Sequence, residues 1–220
     1  MDQLSTLIYS IPALLIALTL HEFAHGWVSD KLGDPTPRRN GRLSLNPLRH
    51  LDPLGTLSLF LFHFGWAKPV MVNPNYYQNK KQGMINVAMA GPMMNFLLAF
   101  ISIFAYYGII KMLRIGLIPM HSGIITSIFD YLLEFLPFLL SYNLGLGIFN
   151  LIPIPPLDGS KFLNALLPEQ LYFGIMRYER YFAPILILLL YTGILNIPLD
   201  FVNDALFNLM KNISLTILRL

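Results

Sequence analysis

Long stretches without a charged residue are the feature that most limits what this chain can fold into. Residues 3–20, 83–110 and 181–199 contain no Asp, Glu, Lys or Arg, and residues 122–150 contain only Asp130 and Glu134. A helix needs about 20 consecutive apolar residues to cross the hydrocarbon core of a bilayer. The pattern predicts an all-α polytopic membrane protein with about four core transmembrane helices, near residues 4–28, 83–110, 122–150 and 180–199.

The composition supports a membrane location and excludes several kinds of chemistry. Charged residues make up 12% of the chain, about half the share usual in soluble domains. The absence of cysteine excludes disulfides and thiolate metal sites. A pI near 9.1 is compatible with nucleic-acid binding, but the basic residues are scattered and form no recognition motif. We therefore expect the lipid bilayer as a partner, no nucleic acid, and one membrane domain over residues 1–220.

The apolar stretch at residues 53–66 decides the topology. It has only 14 residues, which suits a re-entrant or interfacial segment. If it does not span, eleven Lys and Arg residues fall on one side of the membrane and two on the other, whereas a spanning segment gives seven against six. The positive-inside rule favours the first arrangement. It predicts an external N-terminus and a re-entrant β-hairpin region at about 41–80 on the cytoplasmic side. Residues 201–218 form an amphipathic segment that is either a fifth membrane helix or interfacial.

The first apolar run ends in a cluster of titratable groups, HEFAH at residues 21–25. On a helix, His21 and His25 lie one turn apart on one face, and Glu22 lies about 100° round from His21. Two imidazoles at this spacing bind Zn²⁺, and the glutamate serves as general base. The alternative is a set of polar side chains reaching the headgroups, which places a charge near the bilayer core at a cost of about 2.5–3.5 kcal/mol. We favour the metal site.

A catalytic zinc takes three protein ligands, so a third ligand must come from elsewhere in the chain. The predicted topology excludes His121, Asp130 and Glu134, which lie near the opposite face. The residues left open are His50, His63, Asp52 and Asp158. Asp158 follows three prolines and precedes a glycine, so a shaped turn delivers its carboxylate. Its alternative role is the N-cap of a helix beginning near residue 159.

Three ordered segments, HEFAHG at 21–26, GPMMN at 91–95 and FNLIPIPPLDG at 149–159, resemble the site-2 protease family of intramembrane zinc metalloproteases. The resemblance runs from about residue 15 to 163 and fits compact bacterial and archaeal members without PDZ or CBS domains. It implies that His21, His25 and Asp158 bind one Zn²⁺ per chain and that Glu22 is the catalytic carboxylate.

The resemblance also implies a function and a partner. It predicts an endopeptidase that cleaves a transmembrane or membrane-adjacent segment of a membrane protein, as in regulated intramembrane proteolysis, in a prokaryotic cell membrane with the site toward the cytoplasm. By the same resemblance, the substrate is guided by residues near Lys68, Pro69, Val70 and Asn73. Two further residues, Asn95 and Asn150, either contact the substrate or bond other helices. A metal transporter and a non-catalytic helix-binding protein are the alternative functions.

Overall fold

Three long apolar helices form the frame of the protein. A computed structural model describes residues 3–55, 58, 67–118, 123–168, 170–171, 174 and 177–220. Within that part of the chain, the helices long and apolar enough to cross a membrane are α1 (Gln3–Lys31), α3 (Lys80–Arg114) and α4 (Ile124–Asn150). The four-residue helix α2 (Thr36–Arg39) follows α1. The fold is thus mostly helical, with helices long enough to cross a membrane at three of the four predicted spans.

The ends of α3 follow from local sequence. The side chain of Asn79 accepts a hydrogen bond of 3.0 Å from the backbone N–H of Gln82, so Asn79 is an N-cap. At the other end, Gly116 adopts φ +72°, a left-handed conformation that terminates helices. Between these signals, α3 extends over 35 residues, about 52 Å of helix, and contains the 28-residue charge-free run at 83–110.

The predicted span at 180–199 is divided between two helices. After α5 (Ser160–Leu166), helix α6 covers Glu179–Tyr191 and helix α7 covers Asn196–Leu218. The two helices are bent by 79° relative to each other. Gly193 lies in the break with φ +71°, where helix continuation is interrupted. The 13 residues of α6 make about 20 Å of helix, less than the bilayer core of about 30 Å.

Helix α7 packs on the frame. Its Met210 is buried in one cluster with residues of α3 and α4, namely Ala99, Ile103, Leu144 and Ile148. The Nζ atom of Lys111, near the end of α3, donates a hydrogen bond to the carbonyl of Leu218 at the end of α7. The C-terminal segment predicted at 201–218 is therefore a helix held along two apolar helices.

The region predicted as a hairpin, residues 41–80, is only partly described. An isolated antiparallel bridge joins Leu51 to Ala67, and no strand is assigned among the described residues of this region. The guanidinium of Arg42 is buried and donates to the carbonyls of Arg49 and Lys68, so it braces both sides of the bridge. Residues 59–66, with His63, and residues 119–122, with His121, lie outside the described residues.

A buried carboxylate fastens this region to the end of α1. Asp34 accepts hydrogen bonds from the Ser29 hydroxyl (2.8 Å) and from the backbone N–H groups of Thr36 (2.9 Å) and Asn73 (2.7 Å). Burial acts to raise the pKa of Asp34, but these donors outweigh it and leave the pKa below its ordinary value. The ionised carboxylate thus holds residue 73 beside α1.

Candidate metal centre

His21 and His25 face each other on α1, as their spacing predicts. Their Nε2 atoms are 3.0 Å apart, and their rings meet edge to face with centroids 4.6 Å apart. Both side chains are at least nine-tenths buried within the helix frame. Two metal-ligand atoms therefore lie together inside an apolar span.

The turn after α4 brings Asp158 to the two histidines. The backbone N–H of Gly159 donates to the carbonyl of Asn150 at 2.6 Å, which closes the proline-rich segment into a loop. A Cβ atom at Gly159 would overlap the carbonyl oxygen of Leu151, so this closure requires glycine. The N-cap of α5 is Gly159, without a side-chain capping bond, so the alternative role of Asp158 as an N-cap is wrong.

Three acceptor atoms converge at this point. The Oδ2 atom of Asp158 is 3.1 Å from the Nε2 atom of His21 and 3.1 Å from that of His25. A tetrahedral zinc with bonds of about 2.0–2.1 Å has ligand atoms about 3.3 Å apart, so the spacing fits the ion. Among the described residues, these three side chains are the one group of His, Asp or Glu whose ligand atoms lie close enough together to hold a metal ion.

The buried carboxylate of Asp158 also indicates that a cation binds between the three side chains. Asp158 Oδ2 is buried, and no conventional hydrogen-bond donor in the described chain reaches it. A single proton could relieve only one of the three close contacts, whereas a metal ion between the atoms satisfies them all.

Helix α3 fixes the orientation of both imidazoles. His21 Nδ1 lies 2.6 Å from the Oδ1 atom of Asn95, and His25 Nδ1 lies 2.7 Å from the carbonyl oxygen of Val87. Because both oxygens accept hydrogen bonds, each Nδ1 carries the proton and each Nε2 offers a lone pair. Of the two roles left open for Asn95, the observed contact is helix-to-helix.

Gly91 lies midway between these two supports on α3 and leaves the space that the imidazoles occupy. A Cβ atom at residue 91 would lie 2.5 Å from Cε1 of His21 and 2.5 Å from Nε2 of His25. Real Cβ atoms do not approach other atoms this closely. The glycine of the GPMMN segment is thus part of the metal centre.

Glu22 contacts the segment that follows the antiparallel bridge. Its Oε2 atom accepts a hydrogen bond of 3.0 Å from the backbone N–H of Val70. The same segment is held by Lys68, whose N–H donates to the carbonyl of His50 at 2.8 Å. The Glu22 carboxylate and the loop at 67–73 are therefore held together.

The remaining sequence candidates lie elsewhere or have structural contacts. Asn150 donates from Nδ2 to the carbonyl of Leu146 at 3.0 Å, within its own helix. Asn73 caps a short 3₁₀ turn, and Pro69 stands between Lys68 and Val70. Four other candidates lie outside the metal-ligand group, namely His50, Asp52, Asp130 and Glu134. His50 is buried and donates from Nε2 to the carbonyl of Ser44 at 2.7 Å.

Sequence reasoning missed two contributors. Arg42 was counted only as a positive charge, although its burial makes it a brace of the loop. Val87 contributes a backbone carbonyl, which no side-chain pattern reveals. The sequence did contain a signal for the contribution of α3 to the site, because residues 87, 91 and 95 are four apart and share one helix face.

The chain is similar to several known proteins. The sequence profile described as peptidase family M50 matches residues 9–192. YwhC of Bacillus subtilis (strain 168), named as a zinc metalloprotease, is 35% identical over 181 residues, which cover 81% of this chain and 78% of that protein. Rip2 of Mycolicibacterium smegmatis, named likewise, is 28% identical over 201 residues, covering 89% and 71%. No solved structure gives a significant match.

Proposed function

The chain belongs to peptidase family M50, and from this premise we propose that it is a zinc-dependent intramembrane endopeptidase acting on a transmembrane or membrane-adjacent segment of another membrane protein. The relatives YwhC and Rip2 are named as zinc metalloproteases, which supports zinc as the metal. The observation that carries the proposal is the spacing of 3.0–3.1 Å among the ligand atoms of His21, His25 and Asp158.

Each residue of the metal centre has its own role in the proposed peptide hydrolysis. His21, His25 and Asp158 hold the zinc, which, when bound, polarises the scissile carbonyl and acidifies a water. Glu22 removes the proton from the attacking water and passes it to the leaving amine. The Val70 N–H holds the Glu22 carboxylate in a fixed orientation for this transfer.

The loop at 67–73 is our proposed guide for the substrate. A helical substrate must unwind before its carbonyls can be attacked, and pairing with extended backbone replaces the hydrogen bonds that it loses. The loop is tied to Glu22 through Val70 and to Asp34 through Asn73, so a paired substrate lies beside the catalytic carboxylate. The exposed side chain of Met71 offers an apolar contact on the same loop.

The depth and orientation of the site are part of the proposal. His21 lies ten residues before Lys31, the last residue of α1, or about 15 Å along the helix. The basic residues concentrate on that side of the predicted topology, which supports a site open toward the cytoplasm of a prokaryotic cell. Water then reaches the zinc from the Lys31 end of α1.

A metal transporter is the rival function for the same ligands. Transport through the membrane favours a second set of ligands along the path. Within the described residues, His21, His25 and Asp158 form one such group and no other is found. The observation therefore favours hydrolysis over transport.

Removal of the metal tests the proposed function. We expect the purified protein, reconstituted in liposomes with a library of tagged single-span membrane proteins, to release fragments detectable by mass spectrometry. Treatment with 1,10-phenanthroline should abolish cleavage, and added Zn²⁺ should restore it, because the zinc activates the attacking water. Cleavage that persists in metal-free protein would contradict a metalloprotease. Zinc uptake into sealed vesicles without any cleavage would support the transporter.

A further inference from the structure

We propose that Asn143, a residue of α4 that does not touch the metal ligands, is a positioning residue for the metal centre, acting through Asn95 on the tautomer and orientation of His21. The inference rests on the zinc site of the proposed function. It extends that site to a third helix, because His21 belongs to α1, Asn95 to α3 and Asn143 to α4.

A continuous chain of hydrogen bonds joins the three side chains. Asn143 donates from Nδ2 to the carbonyl of Leu139 at 2.8 Å. Its Oδ1 atom accepts from the Nδ2 atom of Asn95 at 2.8 Å. The Oδ1 atom of Asn95 in turn lies 2.6 Å from Nδ1 of His21. Both asparagine side chains are fully buried, so water does not substitute for any of these partners.

Backbone carbonyls decide which atom donates and which accepts along this series of hydrogen bonds, because a carbonyl can only accept. The Leu139 carbonyl requires the amide nitrogen of Asn143, which turns the Asn143 oxygen toward Asn95. Asn95 then meets two acceptors, that oxygen and the carbonyl of Ala17 at 3.3 Å, and both require its nitrogen. Its own oxygen is left for His21.

The consequence for the metal follows directly. An oxygen at this position accepts a proton from Nδ1 of His21, so the neutral ring presents the lone pair of Nε2 to the zinc. If Asn143 no longer accepts from Asn95, the Asn95 amide loses one of the two contacts that exclude its flipped orientation. In the flipped orientation its N–H₂ group faces His21 and favours the tautomer that cannot bind zinc through Nε2.

Two substitutions that introduce side chains of nearly equal shape, Thr and Val, separate this role of Asn143 from simple packing. Asn143→Thr keeps an acceptor oxygen, and its hydroxyl can bond the carbonyl of Leu139 in the preceding turn. Asn143→Val has nearly the same shape without the oxygen. We expect Asn143→Val to weaken zinc binding by about 10-fold, the lower end for outer-shell partners. Asn143→Thr should bind zinc about 3-fold to 10-fold more tightly than Asn143→Val.

The measurement is zinc affinity of the full chain in detergent, by competition with a chromophoric chelator, together with the visible spectrum of the Co²⁺-substituted protein. Asn86→Val, at an exposed position of α3, is the control and should retain wild-type affinity. In an Asn95→Leu background, Asn143→Val should cause no further loss, because the connection is already broken. If Asn143→Val does not fold, Asn143→Ala removes the same acceptor and takes its place.

Three results would overturn the proposal. Equal zinc affinities of the Thr and Val variants would assign Asn143 to packing. Unchanged affinity in Asn143→Val, or full additivity with Asn95→Leu, would show that Asn143 does not act through Asn95. No substrate is used, so a failure to find peptide cleavage leaves this test intact, and a failure here leaves the protease proposal intact.

Discussion

Glu22→Gln is expected to bind zinc as tightly as the wild type while cleaving the membrane substrate about 10²-fold to 10⁴-fold more slowly. The amide carbonyl of glutamine can still accept the Val70 N–H, so the loop at 67–73 stays in place. The amide cannot take a proton from the attacking water, so the chemical step alone is lost. Fragment release in liposomes and zinc content by mass spectrometry measure the two effects on the same preparation.

A matched control uses Glu134, an exposed glutamate of α4 that is absent from the metal-ligand group. Glu134→Gln removes the same charge from the chain and should leave both cleavage and zinc content unchanged. Full activity in Glu22→Gln would remove Glu22 from the role of general base. A loss of zinc in Glu22→Gln would show instead that this carboxylate supports the metal.

Gly91→Ala is expected to weaken zinc binding by about 100-fold, the upper end of losses caused by outer-shell changes. The added methyl group would lie 2.5 Å from atoms of both imidazoles. Neither ring can move aside freely, since Asn95 and the Val87 carbonyl hold their Nδ1 atoms. Titration of the purified variant with Zn²⁺ in the presence of a competing chelator measures the effect, and cleavage should fall with occupancy.

The control for this substitution lies on the same helix. Gly108 has no neighbouring atom within 4 Å of a built Cβ, so Gly108→Ala adds the same methyl group without a clash. It should keep wild-type zinc affinity and stabilise α3 slightly. Wild-type zinc affinity in Gly91→Ala would show that α3 and α1 can separate at this level, and would contradict the close fit described above.

The ligands on α1 were predictable because they depend on the helical period alone. Residues four apart on a continuous helix share a face, so His21 and His25 had to meet once the apolar run formed α1. Asp158 was only one of several candidates from the residues themselves, since its place depends on how a proline-rich turn closes on Asn150. The resemblance to a known family selected Asp158, and the geometry now brings it to the two histidines.

The contacts that support the ligands could not be predicted, because the shared face of residues 87, 91 and 95 does not reveal which atoms it meets on other helices. Asn95 was predicted either to contact the substrate or to bond another helix, but nothing in the sequence indicates that its partners are His21 and Asn143. The division of the predicted span at 180–199 has a different cause. Apolar composition indicates that a segment is buried or faces lipid. It does not reveal the left-handed backbone at Gly193, which bends the chain.

Zinc K-edge X-ray absorption of the purified protein tests the central claim most directly. The wild type should give one zinc per chain with two imidazole ligands and one carboxylate oxygen at about 2.0–2.2 Å. His25→Ala should reduce the imidazole scattering from two rings to one, and Asp158→Ala should remove an oxygen ligand or the zinc itself. Unchanged spectra at full occupancy in both variants would contradict a metal centre formed by His21, His25 and Asp158.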